Sequence, residues 1–536
     1  MTVHSATELQ SWISDVSGED DTAKLSVEWA EFAGRRQPVL TLFGAFDTGK
    51  SSILRRLLVE AGQPLPEWLT ISARHETFAE NLIEVDGCLV RDTPGLSPEG
   101  QDARSLSNSE VARSTLGLTD VLLVTLNPQL STGERPELLE VLSMGWPPGC
   151  VWFLISRADE GGVDPTLNLD GFKEWAARKR DELRESLSLT DAHRIFVIVP
   201  DFAGLGAFES APESSVWDSS RSWDGMDELH SALVELSGED HKDARCAAEL
   251  RFWTRAASVR LASATATVDD LKVSADVANA SLQRRSLFLK QVDALVGAAE
   301  ASLNGSIEDA IRRAVNNPQV DAESIQNTVD PVLEEWWQKQ QVGLARIRQD
   351  AIQALDQQRE GQGWAKFESV YRRFTQPAEE DATRAPSLVP RLEELGQKAI
   401  GALQGADRLW QAHLAAKQPG KVAEITKSAG KLGLAGGIAS AALPVVAELA
   451  SMIEDKVQID RDKVRQREQR EQLHAAVAEI VKVAADEAMR AMEPSIEALR
   501  REITAQTVEE AEVRSLEAAV HEASDLVIRG KALLSH

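Results

Sequence analysis

Residues 38–52, PVLTLFGAFDTGKSS, constrain the fold more than any other stretch of the chain. An apolar run leads into Gly44, and Gly44, Gly49, Lys50 and Ser51 satisfy the spacing G-x-x-x-x-G-K-[ST]. Phosphate binding requires that spacing. The glycines let the backbone wrap so that successive N–H groups point at phosphate oxygens, and the next helix presents its positive N-terminus. Lys50 is expected to neutralise the β- and γ-phosphates, and the Ser51 hydroxyl to ligate Mg²⁺. Ala45, Phe46, Asp47, Thr48 and Ser52 complete the candidate nucleotide loop. Such a loop works only between a buried strand and a helix, and the amphipathic SSILRRLLVEAG that follows is that helix.

The rest of 36–240 has the same grammar. Short apolar runs, CLVRD (88–92), VLLVTLN (121–127), VWFLIS (151–156) and RIFVIVP (194–200), alternate with amphipathic segments such as DGFKEWAARKRDELRESL. Continuous buried strands alternating with helices give a mostly parallel sheet covered on both faces. ETFAENLIEVDGCLVRD interrupts the alternation and reads as a hairpin at the sheet edge. Residues 1–35 read as a helical segment packing on the head or the stalk.

From about 241 the strand runs stop, and Ala, Leu, Glu, Gln, Arg and Lys dominate. Apolar residues recur at three- and four-residue steps, as in LFLKQVDALVGAAEASL. Pro318, Pro331, Pro377, Pro386, Pro390, Pro419, Pro444 and Pro494 are expected to start, stop or kink long helices. The fold class is therefore an α/β phosphate-loop domain (36–240) followed by an elongated all-α bundle or stalk (241–536). At 536 residues the chain exceeds what one core can organise.

Three further strings bear on nucleotide chemistry. In RDTPGL, Asp92 ends a strand and opens D-x-x-G, so its carboxylate can hold Mg²⁺ while the Gly95 N–H reaches the γ-phosphate. In ISRADE, Ser156, Arg157, Ala158 and Asp159 stand where GTPases carry N/T-K-x-D. Asp159 can accept from the guanine N1–H and exocyclic amine, and the Arg157 stem can cover the ring. A plain helix cap at Ser156 or Asp159 is the alternative. Between Ser51 and Asp92, Thr77 is the candidate to close on Mg²⁺, with Ser72 and Thr70 behind it. No catalytic glutamine or arginine finger stands out, and the loop after RIFVIVP offers no clear motif.

The formal net charge of −27 argues against general nucleic-acid affinity, because phosphate backbones need an excess of Lys and Arg. The N-terminus lacks the basic start and apolar core of a signal peptide, so a cytoplasmic protein is the expectation. Cys88, Cys150 and Cys246 are each expected to be small buried apolar residues. Trp336 and Trp337 are adjacent, so one of them is expected to be exposed.

Residues 427–456 differ in composition. No charge occurs from Leu432 to Ala447, and Gly, Ala and Ser dominate. The stretch is shorter than the ~20 residues that span a bilayer. Leu432, Leu434, Ile438, Leu443, Val445 and Val446 could instead dip into one leaflet, with Lys417, Lys421, Lys427 and Lys431 meeting anionic headgroups. The other reading is a close-packed helix pair inside the bundle.

Together, GAFDTGKSS, ETFAE, RDTPGL and SRAD, followed by a long helical half, resemble the dynamin superfamily, in particular bacterial dynamin-like GTPases of the LeoA-like type. The resemblance implies a GTPase head on a helical stalk that binds GTP and Mg²⁺ and self-associates through its heads. It further implies membrane remodelling, a possible sister GTPase, and a peripheral place at the inner face of the membrane. It carries over at Gly44, Gly49, Lys50, Ser51, Thr77, Asp92, Gly95 and Asp159, and assigns catalytic work to Asp47, Lys50, Thr77 and Gly95. Asp47 departs from the Ser that dynamins often carry there to hold a monovalent cation, so a cation near Asp47 becomes an open expectation. Two other readings stand beside the mechanoenzyme: a regulatory switch whose helical half binds a protein partner, and a P-loop ATPase with a coiled stalk.

Overall fold

A computed structural model describes residues 5–45, 47–66, 69, 81–93, 115–130, 135–147, 149–207, 212–315, 322–375, 388–401, 463–505 and 507–535. Strands β1 (Val39–Gly44), β2 (Asn81–Val85), β3 (Cys88–Asp92), β4 (Val121–Leu126), β5 (Val151–Ile155) and β6 (Arg194–Val197) form one sheet in the order β2-β3-β1-β4-β5-β6. All neighbours are parallel except β2–β3, which pair antiparallel from Asn81↔Asp92 to Val85↔Cys88. The edge hairpin expected from the sequence is this pair.

Both faces of the sheet are buried, which is why its strands read as unbroken apolar runs. Leu40, Leu42, Val121, Leu123, Trp152 and Leu154 pack against helices α3 (Lys50–Glu60) and α6 (Met226–Ser237). Phe43, Leu122, Val124, Phe153 and Ile155 pack on the other side with α4 (Arg135–Leu142) and α5 (Leu169–Leu187). Alternate residues of one strand therefore serve two cores. After β1 the chain passes to the β2–β3 hairpin on one side, and it then returns to β4 on the other. That reversal beside β1 is where open parallel sheets bind ligands, beyond the carboxyl ends of the strands.

The chain divides into two compact units. The first comprises Met1–Ala264, Leu388–Arg391 and Leu526–His536. Beside the sheet it holds α1 (Ala6–Ser17) and α2 (Glu19–Ala33). A reciprocal Ser5–Glu8 capping box starts α1. Trp12 Nε1 donates to the Leu526 carbonyl at 2.8 Å, and Arg529 pairs with Asp15 at 2.7 Å, so the two ends of the chain meet within this unit.

The second unit comprises Thr265–Ser387 and Leu392–Asp525. Its helices are the remainder of α7 (Lys242–Val315), α8 (Ala322–Glu360), α9 (Gln362–Thr375), most of α10 (Pro390–Gly401), α11 (Lys463–Ala505) and part of α12 (Glu510–Leu534). Its core joins Val292, Leu303 and Ile307 of α7, Val329 and Leu333 of α8, and Val481, Met492 and Leu499 of α11.

Two expectations need correction. Trp336 and Trp337 are both buried, at 5% and 6% exposure. Helix α8 is packed by both α7 and α11, so the covered arc takes in two consecutive positions, and Trp336 Nε1 donates to the Ala299 carbonyl at 3.0 Å. Pro331 and Pro494, expected to start, stop or kink helices, lie inside α8 and α11. Both are exposed, as are Asn327 and Arg490 four residues earlier, so water can meet the carbonyls that proline leaves unbonded. Pro390 does open a helix, as its fixed φ favours. Of the cysteines only Cys88 is buried, Cys150 is half-buried and Cys246 is exposed. Among the described residues, no helix is long and apolar enough to cross a membrane.

Candidate nucleotide site

Gly44 ends β1 so close to β4 that a Cβ there would lie 2.3 Å from Thr125 Oγ1, so only glycine fits. Thr125 then anchors the loop. Its Oγ1 lies 2.7 Å from Thr48 Oγ1, which also donates to the Ala45 carbonyl at 2.9 Å. Gly49 adopts φ +85°, where glycine carries no steric penalty, and a Cβ would collide with Ser156 Oγ. Lys50, the first residue of α3, is 8% exposed and folds back to donate to the carbonyls of Gly44 at 3.0 Å and Ala45 at 2.6 Å. An ammonium held by two loop carbonyls lies where phosphates would meet the loop.

Helix α3 is fixed by two buried arginines. Arg55 donates to the Gly206 carbonyl at 2.9 Å, and Arg56 to Asp224 at 3.0 Å. Asp224 is also held by Ser220 Oγ and the Met226 N–H. The middle of α3 is thereby tied to the segments that follow β6.

Asp92 reaches the same place from β3. It pairs in register with Leu42, and the next residue, Thr93, donates from Oγ1 to the Leu42 carbonyl at 2.6 Å. The Asp92 side chain is 3% exposed, and its Oδ1 has no hydrogen-bond partner among the described residues. Burial raises its pKa, against the Lys50 charge, the Thr93 N–H and the Ser51 hydroxyl, which favour the carboxylate. A buried carboxylate oxygen without a partner, with a serine hydroxyl bonded to the same group, fits a Mg²⁺ ligand pair. Ser51 and Asp92 could hold the metal, whose charge would stabilise the phosphates and the ionised form of Asp92.

The loop after β5 closes the opposite side. Ser156 is fully buried and its Oγ has no hydrogen-bond partner among the described residues. Arg157 sits in the left-handed region at φ 55°. Its Nη1 donates to the Asp47 carbonyl at 3.1 Å and pairs with Asp47 Oδ2 at 2.9 Å, while its Nη2 pairs with Glu160 at 2.7 Å. Burial opposes the Arg157 charge, but the Asp47 and Glu160 carboxylates outweigh it and raise its pKa. Asp159 lies in the 3-10 turn that follows. Its pKa is raised by burial and by Glu160 and Asp201, against its own backbone N–H and Arg157. The Arg157 stem lies across the loop rather than standing free.

Two contributors carried weak sequence signals. Thr125 is a lone hydroxyl in the apolar run VLLVTL, a polar residue that a fully buried strand has to justify. Asp201 follows β6 and shapes the next loop by accepting from the Gly206 N–H at 2.7 Å, the Ala207 N–H at 3.0 Å and Trp217 Nε1 at 3.0 Å. In that loop Ala203 takes φ 55°. Its signal was an Asp ahead of a Gly-rich run, DFAGLG, with no fixed motif.

The structure thus brings together Gly44, Ala45, Asp47, Thr48, Gly49, Lys50, Ser51, Ser52, Asp92, Arg157 and Asp159 on loops at the carboxyl end of the sheet. Phe46, Thr77, Gly95 and the candidate lipid segment with Leu432, Leu434, Ile438, Leu443, Val445 and Val446 lie outside the described residues.

No protein-family model matches the chain, and no curated protein matches it. Solved structures do. The chain is similar to the LeoA bacterial dynamin GTPase from ETEC, at 14% identity over 99% of this chain and 96% of that one, with a TM-score of 0.31. It is similar to a member of an oligomerised bacterial dynamin pair, at 11% identity over 95% and 87% of the two chains, with a TM-score of 0.38. It is also similar to Era in complex with MgGDPNP and 16S ribosomal RNA, at 17% identity over 38% and 57%, with a TM-score of 0.27. Bacterial dynamins are what the motif resemblance leads one to expect.

Proposed function

We propose that the protein binds GTP with Mg²⁺ and hydrolyses it. One observation carries the reading: Lys50, folded onto the Gly44 and Ala45 carbonyls, lies beside Asp92, a buried carboxylate with an oxygen that has no hydrogen-bond partner among the described residues. A glycine-turned loop, an ammonium and a metal-ready carboxylate at the carboxyl ends of β1 and β3 suit a nucleoside triphosphate. Mg²⁺, when bound, would neutralise phosphate charge. Lys50 and the N-terminus of α3 would bind and orient the phosphates, Ser51 and Asp92 would hold the metal, and Asp159 would accept from the guanine edge. Thr77 and Gly95 are proposed to close on the γ-phosphate side. Guanine is favoured over adenine because a carboxylate can accept from N1–H and the exocyclic amine, which adenine does not offer at those positions.

The finer reading is a dynamin-like mechanoenzyme. Nucleotide would pair two heads, or one head with a sister GTPase, and the helical half would pass the change to a membrane at the inner face. Its support is the motif order and the uncharged stretch 432–447 behind four lysines. A monovalent cation near Asp47 is not part of this reading, because Arg157 already pairs with that carboxylate at 2.9 Å. GTP turnover by the full chain, with and without anionic liposomes and with ATP as control, tests it against Lys50→Ala. Lipid-stimulated GTP turnover that falls about 100-fold or more in the variant supports the whole reading. GTP binding with negligible turnover under both conditions would leave the regulatory switch.

A further inference from the structure

Asp47 poses an electrostatic problem. It lies between Gly44 and Gly49, in the loop whose N–H groups have to face phosphates, and its backbone is turned to φ 62°. Its side chain is 72% exposed, so no protein wall screens it from an incoming polyanion. Lys50 does not answer it, because that ammonium is directed to the Gly44 and Ala45 carbonyls. A bare carboxylate at this place would repel the phosphates that the rest of the loop attracts.

The loop after β5 supplies the answer. We infer that Arg157 is a positioning residue that neutralises Asp47, and that the two residues act as one unit in nucleotide binding. The inference rests on the nucleotide-binding reading above. One guanidinium does three things at once: Nη1 bonds the Asp47 backbone carbonyl and pairs with the Asp47 carboxylate, and Nε and Nη2 meet Glu160. Glu160 orients the fork, the carbonyl contact fixes the shape of the phosphate loop, and the carboxylate contact cancels its charge. A planar fork can serve all three, whereas a lysine ammonium is a single point charge on a flexible stem. Asp47 in the phosphate loop and Arg157 in place of the usual Lys are therefore one compensated pair. With the guanidinium already on Asp47, the carboxylate has no need to recruit a cation from solvent.

The pair predicts a specific pattern of rescue. Dissociation constants for a fluorescent GDP analogue with Mg²⁺ would be measured for the full chain and for Asp47→Ser, Arg157→Ala, Arg157→Lys and the double variant Asp47→Ser/Arg157→Ala. Thermal melts without nucleotide would check folding. Arg157→Ala is expected to weaken binding about tenfold by unmasking Asp47. Adding Asp47→Ser should restore affinity to within about threefold of Asp47→Ser alone. Arg157→Lys should fall between. Replacing K⁺ by choline at constant ionic strength should change wild-type affinity less than about twofold, while Arg157→Ala becomes K⁺-dependent. Independent, additive losses in the double variant would overturn the inference, as would wild-type binding that needs K⁺. A folded wild-type protein that binds no GDP at all would instead sink the nucleotide-binding reading itself.

Discussion

Arg245, in the first turn of α7, and Asp120, just before β4, are joined by two parallel hydrogen bonds, Nε–Oδ1 at 2.8 Å and Nη2–Oδ2 at 2.7 Å. Asp120 is fully buried and also accepts the Val39 N–H at 2.8 Å. The remaining Nη1 donates to the carbonyls of Phe32, Ala33 and Arg35, and the guanidinium lies 4.3 Å from the centre of the Phe32 ring. One side chain thus closes the end of α2 and holds the starts of β1, β4 and α7 together. Arg245→Ala would leave a buried carboxylate without its paired guanidinium, with only Arg251 nearby. We expect it to lower the unfolding free energy of the first unit by about 3–5 kcal/mol in urea titration. Arg245→Lys should recover less than half, because an ammonium cannot make the parallel pair. An unchanged midpoint in Arg245→Ala would show that the pair adds little.

Asp92 sets function against stability. Burial raises its pKa above the ordinary 3.8, so the folded protein holds this proton more tightly than the unfolded chain. The stability it contributes is full below 3.8 and is lost as pH rises through the folded value. At neutral pH the ionised group is a cost. Asp92→Asn keeps the shape and removes the charge, while Lys50 keeps its two carbonyl acceptors. The nucleotide-free variant should melt a few degrees higher at pH 7, about 2–4 °C per kcal/mol, with the gain vanishing in acid. Mg²⁺-dependent nucleotide binding should be lost. A lower melting temperature at pH 7 would contradict this account.

Asp159 offers a test of base choice. Inosine triphosphate lacks the exocyclic amine of guanine and so forfeits one hydrogen bond to the carboxylate. Competition binding should favour GTP over ITP by about tenfold, and Asp159→Ala should erase the difference. Because burial and its acidic neighbours raise the Asp159 pKa, the preference should fade on acidification at a higher pH than an ordinary Asp would allow. Equal affinities for GTP and ITP in the wild-type protein would remove Asp159 from the site.

The cysteines should separate by rate. The Cys88 thiol is pushed up to about 12, first by burial and then by the Asp86 charge, so almost no thiolate exists at pH 8. Cys246 is exposed and should react first with a thiol reagent, half-buried Cys150 more slowly, and Cys88 only after denaturation. Mass spectrometry of the native protein after brief labelling reads this order. Early modification of Cys88 would mean that the β3–α6 packing opens readily.

Much of the site was legible because its signals are local. Gly44, Gly49, Lys50 and Ser51 are bound to their spacing by the geometry of one turn between a strand and a helix. The β2–β3 hairpin follows from two short runs on either side of Asp86–Gly87, both at positive φ. Which of the three expected roles each proline takes is something that sequence cannot supply. Pro331 and Pro494 are tolerated because their helices present that side to water, and the exposed side is chosen by the neighbouring helices. Trp336 and Trp337 did mislead, since two packing partners cover a wider arc than one apolar stripe implies.

The amino-acid sequence by itself determined the phosphate loop, the parallel strands that carry it and the change to a helical second half, because each depends on spacing and periodicity within a few turns of chain. Tertiary structure alone decided that Arg157 meets Asp47 across 110 residues and that Arg245 meets Asp120 across 125. Charge pairing needs proximity within a few ångströms, and only the folded sheet, with its loops gathered at the carboxyl ends of the strands, turns distant positions in the chain into neighbours in space.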